Sequence, residues 1–466
     1  MACSLSLHAW DWWPLPMAEP DTCRDSLYYV GEVSALSSSG EQAPSLLRHN
    51  TDGNIATHPH SGNLSLGVIK PATRPNRWYD YDFGVVLTGR VSGTQRNIPE
   101  PQIAGTGYFR ELYAHARLYI IDITAGIHPL YCGAGDHDLS TGGMLFSGNA
   151  HPLPRISIGI DRWTSFPGLF GYVEVKGGLS HGWLGDNSQI VRGTLLHYKY
   201  IGGRLGGKLP VNISYEFHHV AQWGGYSTVY GDLGNNFVAW KNAFLVRSGG
   251  TMANDQLNAQ GNHIGFQQLA LDVKGEGWIV SAYWQVIQED GPIRFIGLTM
   301  NRPDGLLGVS MQQSRWPFIS GATVELFNTT DQSGPWHDRD GCVYGGADSY
   351  YTNSIYRQGW TYFGANIGLP FLSQNNTRAI GGQIGLKGDI YGFRYRAICS
   401  HVHNYGTYRA PLQSVNTAFL LEVKKHVPQA WGLDFGVALS GDFGTQFGNQ
   451  FGAMVTISKQ GLITSY

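Results

Sequence analysis

Seven stretches of the chain hold charged side chains on one parity and apolar side chains on the other. In 83–91, Phe83, Val85, Leu87 and Val91 alternate with Gly84, Thr88 and Arg90. A strand turns successive side chains to opposite faces, so Arg90 leaves the apolar side. In the same way Leu112, Ala114, Ala116, Leu118 and Ile120 oppose Tyr113, His115, Arg117 and Tyr119, and Val211, Ile213, Tyr215 and Phe217 oppose Asn212, Ser214, Glu216 and His218. Val173 and Val175 oppose Glu174 and Lys176. Toward the C-terminus Tyr391, Phe393, Tyr395 and Ala397 oppose Arg394 and Arg396, Phe419, Leu421 and Val423 oppose Glu422 and Lys424, and Leu433, Phe435, Val437 and Leu439 oppose Asp434 and Ser440. A Lys or Arg on a lipid-facing wall costs about 2–4 kcal/mol at the bilayer midplane, and this segregation of charge is what such a wall demands.

A soluble sandwich also alternates, because one face of each sheet meets water. Composition separates the two. Charged residues make up 14% of the chain, against about 25% in ordinary soluble domains. The reading is therefore all-β: a large antiparallel transmembrane β-barrel of a bacterial outer membrane, with a small helical element. No apolar run approaches the roughly 18 residues of a membrane-spanning helix.

No linker divides the chain, so residues 25–466 are expected to form one barrel. Strands of about 10 residues with their turns would fit roughly 16 to 20 times into that length. Residues 1–24 read as a leader remnant or a disordered N-terminus. The first twenty residues contain no Lys or Arg and lack an uninterrupted apolar region, so a true leader is expected upstream of Met1. Phe237, Trp240, Phe244 and Leu245 recur at helical spacing before Gly249 and Gly250, which predicts a short amphipathic helix at about 235–248 that caps or packs beside the barrel. The polar stretch 329–353 is too long for a tight turn and is expected on the outer side.

The net charge of −2 gives no reason to expect a nucleic-acid partner. Cys3, Cys23, Cys132, Cys342 and Cys399 have no CxxC spacing, so neither a zinc site nor a dense disulfide framework is indicated. His218 and His219 are adjacent and point to opposite faces of a strand, which rules out one metal site between them. The run Asp338, Asp340 and Gly341 lacks the remaining oxygens of a calcium loop. No metal, cofactor or catalytic residue is expected. Gly178, Leu179, Ser180, His181 and Gly182 match the G-x-S-x-G elbow, but that motif needs a helix after the serine, and none is predicted.

On barrel parity the interior receives Tyr113, His115, Arg117, Lys199, Arg204, Glu216, His218 and Arg394. Aromatic faces stack on the apolar faces of sugars, and charged side chains hold carboxylates or hydroxyls. The candidate sugar-binding set is Tyr113, Arg117, Lys199, Arg204, Glu216, His218, Trp223 and Arg394. The alternative is an interior whose side chains pair only with one another and stiffen the barrel.

Nine runs carry a resemblance to a known family: LSTGGMLFSGNAHPLPRISIGI (139–160), GGLSHGW (177–183), LLHYKY (195–200), GGKLPVNISYEFHHVAQWGG (206–225), GNHIG (261–265), QEDG (288–291), TTDQSGP (329–335), GGADSYYTN (345–353) and GWTYFGANIGLP (359–370). With the opening DSLYYVGEVSALSSSG (25–40), the chain resembles the capsule assembly Wzi family, especially its Bacteroidetes branch. Ala347 and Ser349 depart from the family's pattern around Asp348. The resemblance implies an outer-membrane barrel of eighteen antiparallel strands with a small helical element. It further implies a non-enzymatic, lectin-like role in holding capsular polysaccharide at the cell surface, with outer-membrane lipid and the capsule export machinery as further partners. A diffusion or transport channel is the rival reading of the same polar interior.

Overall fold

The computed structural model describes residues 25–74, 77–93, 103–185, 190–250, 259–289, 304–335, 337–339 and 342–465. The leader assignment to 1–24, and Cys3, Cys23, Asp340 and Gly341, lie outside them. Eighteen barrel strands follow one another in chain order. They are β1 (Ser26–Ser38), β2 (His60–Lys70), β3 (Tyr79–Gly93), β4 (Ile103–Leu118), β5 (Ile121–Ile127), β6 (Pro154–Ser165), β7 (Val173–Gly185), β8 (Thr194–Leu205) and β9 (Val211–Trp223). The second half comprises β10 (Asn262–Gly275), β11 (Trp278–Glu289), β12 (Gly305–Gln313), β13 (Gly321–Asn328), β14 (Arg378–Ile390), β15 (Phe393–Gly406), β16 (Pro411–Val427), β17 (Leu433–Gly444) and β18 (Gln450–Ser465).

Each strand pairs antiparallel with the next, and β18 closes on β1 from Ser26↔Ser465 to Ser38↔Gly452. Closure leaves no unpaired strand edge, as a lipid environment requires. The alternation read from sequence is the one observed. Val85, Leu87, Leu112, Val211, Ile213, Leu421, Val437 and Leu439 face outward and are exposed, whereas Thr88, Arg117, Glu216, Glu422, Asp434 and Ser440 are buried on the inner side.

The two ends of the barrel differ. One carries both described chain ends and brief connections such as 119–120, 276–277 and 391–392; the other carries 39–59, 128–153, 224–261 and 329–377. Short turns mark the periplasmic end and long loops the extracellular end. Exposed aromatics ring the periplasmic end: Trp78, Tyr119, Phe170, Trp316, Tyr391 and Trp431 all sit in or beside its turns. Such a belt holds its rings at headgroup depth.

The long loops do not simply hang outside. Segment 39–59, with helix α1 (Ser45–Arg48), packs Ala43, Leu46 and Leu47 against the inward side chains Leu36, Ile398, Ala418, Leu420 and Ala438. Each leucine buried this way contributes about 1.5–3 kcal/mol, against the entropy of ordering the loop. Segment 128–153 places Met144, Leu145 and Phe146 among wall residues Tyr198, Ile264, Phe266, Ile287, Leu306 and Phe327, under Tyr350, Tyr351 and Trp360 of segment 329–377. The stretch 329–353 thus belongs to the extracellular side, as expected.

Helix α2 (Phe237–Leu245) is shorter than the sequence suggests. The Asn236 side chain accepts the Ala239 N–H at its start, and Val246 in the left-handed conformation (φ 54°) ends it before the glycine pair. It lies against the outer wall, where its buried Ala239 and Ala243 pack on Ala221 and Trp223 of β9.

Candidate functional site

Contacts along the barrel interior hold the two inserted segments to the wall. Asp442 of β17 accepts the Ser45 N–H at 2.9 Å and its hydroxyl at 2.5 Å, and also receives the amides of Asn416 and Gln450. Arg90 of β3 donates to the carbonyls of Gly53 and Asn54. For the second segment, Lys387 of β14 contacts Asp136 at 2.8 Å and Asp138 at 2.6 Å. Glu325 of β13 accepts the Thr141 N–H at 2.5 Å and the Ser140 hydroxyl at 2.8 Å. Gln285 and Gln383 bond to the Met144 N–H and the Leu139 carbonyl.

The segments also bind one another and the cap above them. The Asp52 N–H donates to the Gly148 carbonyl at 2.7 Å, the Ser147 N–H to Ile367, and the Trp360 indole to the Leu145 carbonyl at 2.8 Å. One polar cavity of about 120 Å³ remains between α1 and the wall, lined among others by Glu32, Arg110, Arg396, Glu422 and Lys424. Exposure at the periplasmic end is uneven: the Lys424 side chain is 25% accessible and that of His426 48%, whereas Lys70, Asp80, Arg117 and Asp434 are buried. The interior is filled along most of its length, because segment 128–153 reaches from the extracellular cap down to Lys387 and Arg396, each four residues from the periplasmic turn 391–392.

Two carboxylates of the inserted segment 128–153 respond oppositely to one lysine. Burial raises the pKa of Asp138, but the charges of Lys387 and Arg396 outweigh it and hold the group below its ordinary value. Asp136 is raised, because burial and the neighbouring Asp138 charge exceed the pull of Lys387. One cation shared by two buried acids favours ionising the better-paired one first.

The structure does not gather the eight sequence-derived candidates into one surface. Six face inward, each engaged within the wall or with the inserted segments. The Tyr113 ring lies against His128 of the inserted segment, with centroids 4.0 Å apart and the planes tilted by 37°. Arg117 sits at the periplasmic end, donating to the Arg74 carbonyl at 2.6 Å beside Asp80. Arg204 pairs with Glu174 and lies over the Trp163 ring at 5.0 Å. Glu216 joins Lys176 at 2.6 Å and His218 at 3.0 Å. His218 also contacts the Tyr198 hydroxyl at 2.8 Å and the Cys132 thiol at 3.8 Å. Arg394 has Asp389 and Lys424 as its cross-strand neighbours.

Lys199 and Trp223 are corrections. Lys199 lies five residues from Arg204 on β8, and Trp223 seven from Glu216 on β9, so strand parity puts each on the opposite face from its inward neighbour. Both are on the outer wall beneath α2. Lys199 donates to the Phe244 carbonyl and lies over the Phe244 ring at 4.5 Å, and Trp223 packs against Ala239 and Ala243. Ser180 is an interior β7 residue paired with Ser157 and Tyr198, with strand continuing to Gly185, so no elbow forms.

Sequence reasoning missed Glu325, Lys387 and Asp442, the wall groups that hold the inserted segments. Each stands on the inward parity of its strand, a signal the sequence contained. The segment residues they hold, at least 184, 249 and 397 positions away respectively, left no local trace. Among the described residues no cluster of three or more His, Cys, Asp or Glu side chains is arranged to hold a metal ion, and Cys132 and Cys399 are free thiols.

No protein-family model matches the chain, and no curated protein matches it. Among solved structures it is similar to Wzi of Escherichia coli, described as a carbohydrate-binding β-barrel involved in group 1 capsule assembly, with a TM-score of 0.53 and 15% identity over 92% of this chain and 84% of that one. Weaker likenesses reach Pseudomonas aeruginosa OccK7 (OpdD), with a TM-score of 0.48 and 8% identity over 95% of this chain and 99% of that one, and OprD of the same organism, with 0.42 and 10% over 94% and 96%. The Wzi likeness agrees with the observed fold: a closed barrel of eighteen antiparallel strands with an apolar outer wall, the architecture of a bacterial outer-membrane protein.

Proposed function

We propose that this chain is a non-enzymatic outer-membrane protein, related to the Bacteroidetes branch of the Wzi family, that binds capsular polysaccharide at the cell surface and helps assemble or anchor the capsule. The observation that carries this reading is the filled barrel interior. Segments 39–59 and 128–153 are bonded into the wall and capped by 329–377, which turns the outer end into a surface rather than a mouth. The family-like runs across the chain and the carbohydrate-binding barrel of like fold support the same direction. Export machinery would meet the periplasmic end and lipid the outer wall.

A channel is the second reading, favoured by the partly exposed Lys424 and His426 on the inner wall near the periplasmic end. Single-channel recording in planar bilayers separates the two, because a sealed binding protein conducts little where an open barrel conducts steadily. The deciding experiment compares cell-attached with released capsule in a strain lacking the gene and in its complemented partner. Release of polymer to the medium without loss of synthesis supports anchoring, whereas unchanged attachment removes it.

A further inference from the structure

Three two-residue strands at the extracellular end form a small sheet of their own: Val191–Arg192, Tyr226–Ser227 and Gly231–Asp232. They come from the connections that follow β7 and β9. Tyr226 is the direct antiparallel partner of both Arg192 and Asp232. Directly opposed residues share a face, so arginine, tyrosine and aspartate form one row with about 5 Å between neighbours.

Burial confirms which way the row points. Arg192, Tyr226 and Asp232 are exposed, whereas Val191 and Ser227 on the other face are buried. Tyr226 keeps 58% of its surface and the adjacent Tyr230 38%. Arg357 reaches the Tyr230 hydroxyl at 3.4 Å from the cap and adds a second exposed guanidinium beside the row.

The row stands on a firm base. Val191 and Leu233 pack on the buried Ile355 and Tyr356 of the cap, and the Tyr356 hydroxyl donates to the Gly224 carbonyl at 3.1 Å. The Ser227 hydroxyl accepts the N–H groups of Val229 and Tyr230, each at 3.2 Å, which fixes the turn between the second and third strands. A polar and aromatic surface on rigid elements binds with little ordering cost.

We propose that Arg192, Tyr226, Asp232, Tyr230 and Arg357 form a binding subsite for a uronic-acid-containing polysaccharide, a proposal that rests on the polysaccharide-binding reading above. The exposed phenol rings stack on the apolar face of a pyranose. Two planar guanidiniums match a sugar carboxylate through paired N–H donors. Asp232 accepts sugar hydroxyls, its Oδ1 already receiving the Gly234 N–H at 2.9 Å. Two cations against one carboxylate select an acidic polymer over a neutral one.

The test is affinity electrophoresis of the purified full-length protein through gels holding polygalacturonate, its carboxyl-reduced form, or dextran. A long polymer supplies the repeats that make weak subsites measurable. The expected result is retardation by polygalacturonate that weakens about tenfold in Tyr226→Ala, equivalent to roughly 1.4 kcal/mol. Arg192→Met with Arg357→Met should lose the preference for the carboxylated over the reduced polymer. All five side chains are at the surface, so heat-modifiable migration of each variant should match the parent and report an intact barrel. Retardation that is unchanged in these variants overturns the subsite and leaves the polysaccharide reading in place. Retardation that polyphosphate abolishes as efficiently as polygalacturonate reduces the site to bare charge and also overturns it. No retardation by these polymers, together with unchanged capsule attachment in the deletion strain, overturns the subsite and the reading beneath it.

Discussion

Asp442 and Ser45 lie 397 residues apart, and the carboxylate receives both the N–H and the hydroxyl of the serine, inside the barrel. The last hairpin of the barrel thereby holds the first residue of α1, and with it the segment that fills one side of the interior. Asp442→Ala is expected to leave the buried donors of Ser45, Asn416 and Gln450 short of their acceptor, at a cost of about 1–3 kcal/mol each where water does not replace it. The barrel, closed by its backbone ladder, should survive. Limited proteolysis should cut within 39–59 faster than in the parent, and bilayer recordings should show conductance appear. A variant as resistant and as silent as the parent would mean that Leu46 and Leu47 hold the segment without Asp442.

Acid should act on the second inserted segment, and the two aspartates make the sign testable. Asp138 has a folded pKa below its unfolded value, so its contribution is present above about pH 4 and is lost as pH falls through the folded value. Asp136 is shifted the other way, so its ionisation opposes the fold as pH rises past the ordinary carboxylate range. Asp136→Asn should therefore hold segment 128–153 at least as firmly as the parent at pH 7, and Asp138→Asn should loosen it and flatten its response to acid. Hydrogen exchange across 128–153 from pH 3 to pH 7 reads both. Equal effects of the two substitutions would show that Lys387 does not distinguish them.

The barrel was legible in the sequence because lipid imposes a period-two rule on every strand, and residues such as Arg90, Glu216 and Glu422 obey it wherever they occur. The interior was less legible. Nothing local marks Asp136 as the partner of Lys387, because they lie 251 positions apart. Lys199 and Trp223 carry sugar-binding chemistry, yet each stands an odd number of positions from an inward residue of its own strand, Arg204 or Glu216. The parity of Lys199 against Arg204, read strictly, already places one of them outside. The row Arg192, Tyr226 and Asp232 was beyond reach, since two-residue strands carry no periodicity.

Tyr391 and Gly392 form a two-residue turn with φ of 55° and 76°. A primed hairpin turn needs positive φ at both central positions and favours Asn-Gly, so a tyrosine there is strained. Tyr391 is 94% accessible, the exposure an aromatic needs to meet headgroups at a membrane interface. Tyr391→Asn is expected to raise thermal stability in detergent by up to about 1 kcal/mol while slowing insertion into preformed vesicles. A fall in detergent stability would show that the ring is held by the protein and not by the bilayer.

Lys199 and α2 depend on each other. The ammonium reaches the Phe244 carbonyl at the helix C-terminus, where a cation is favoured, and the helix also covers His197, whose ring meets Phe244 at 4.9 Å between centroids on the same outer wall. Without the helix these polar groups would face acyl chains. Ala243→Glu, which places a carboxylate in the buried contact with β9, is expected to lift α2 and expose the charge, lowering stability in bilayers more than in detergent, where water reaches the wall. Lys199→Met removes the tie but makes the wall apolar, so it should loosen α2 while costing little in bilayers. Hydrogen exchange at 237–245, with urea unfolding in vesicles and in micelles, separates these outcomes. If Lys199→Met destabilises the protein in vesicles as strongly as Ala243→Glu, the helix is a structural brace of the barrel and not a cover for a polar patch on its lipid-facing side.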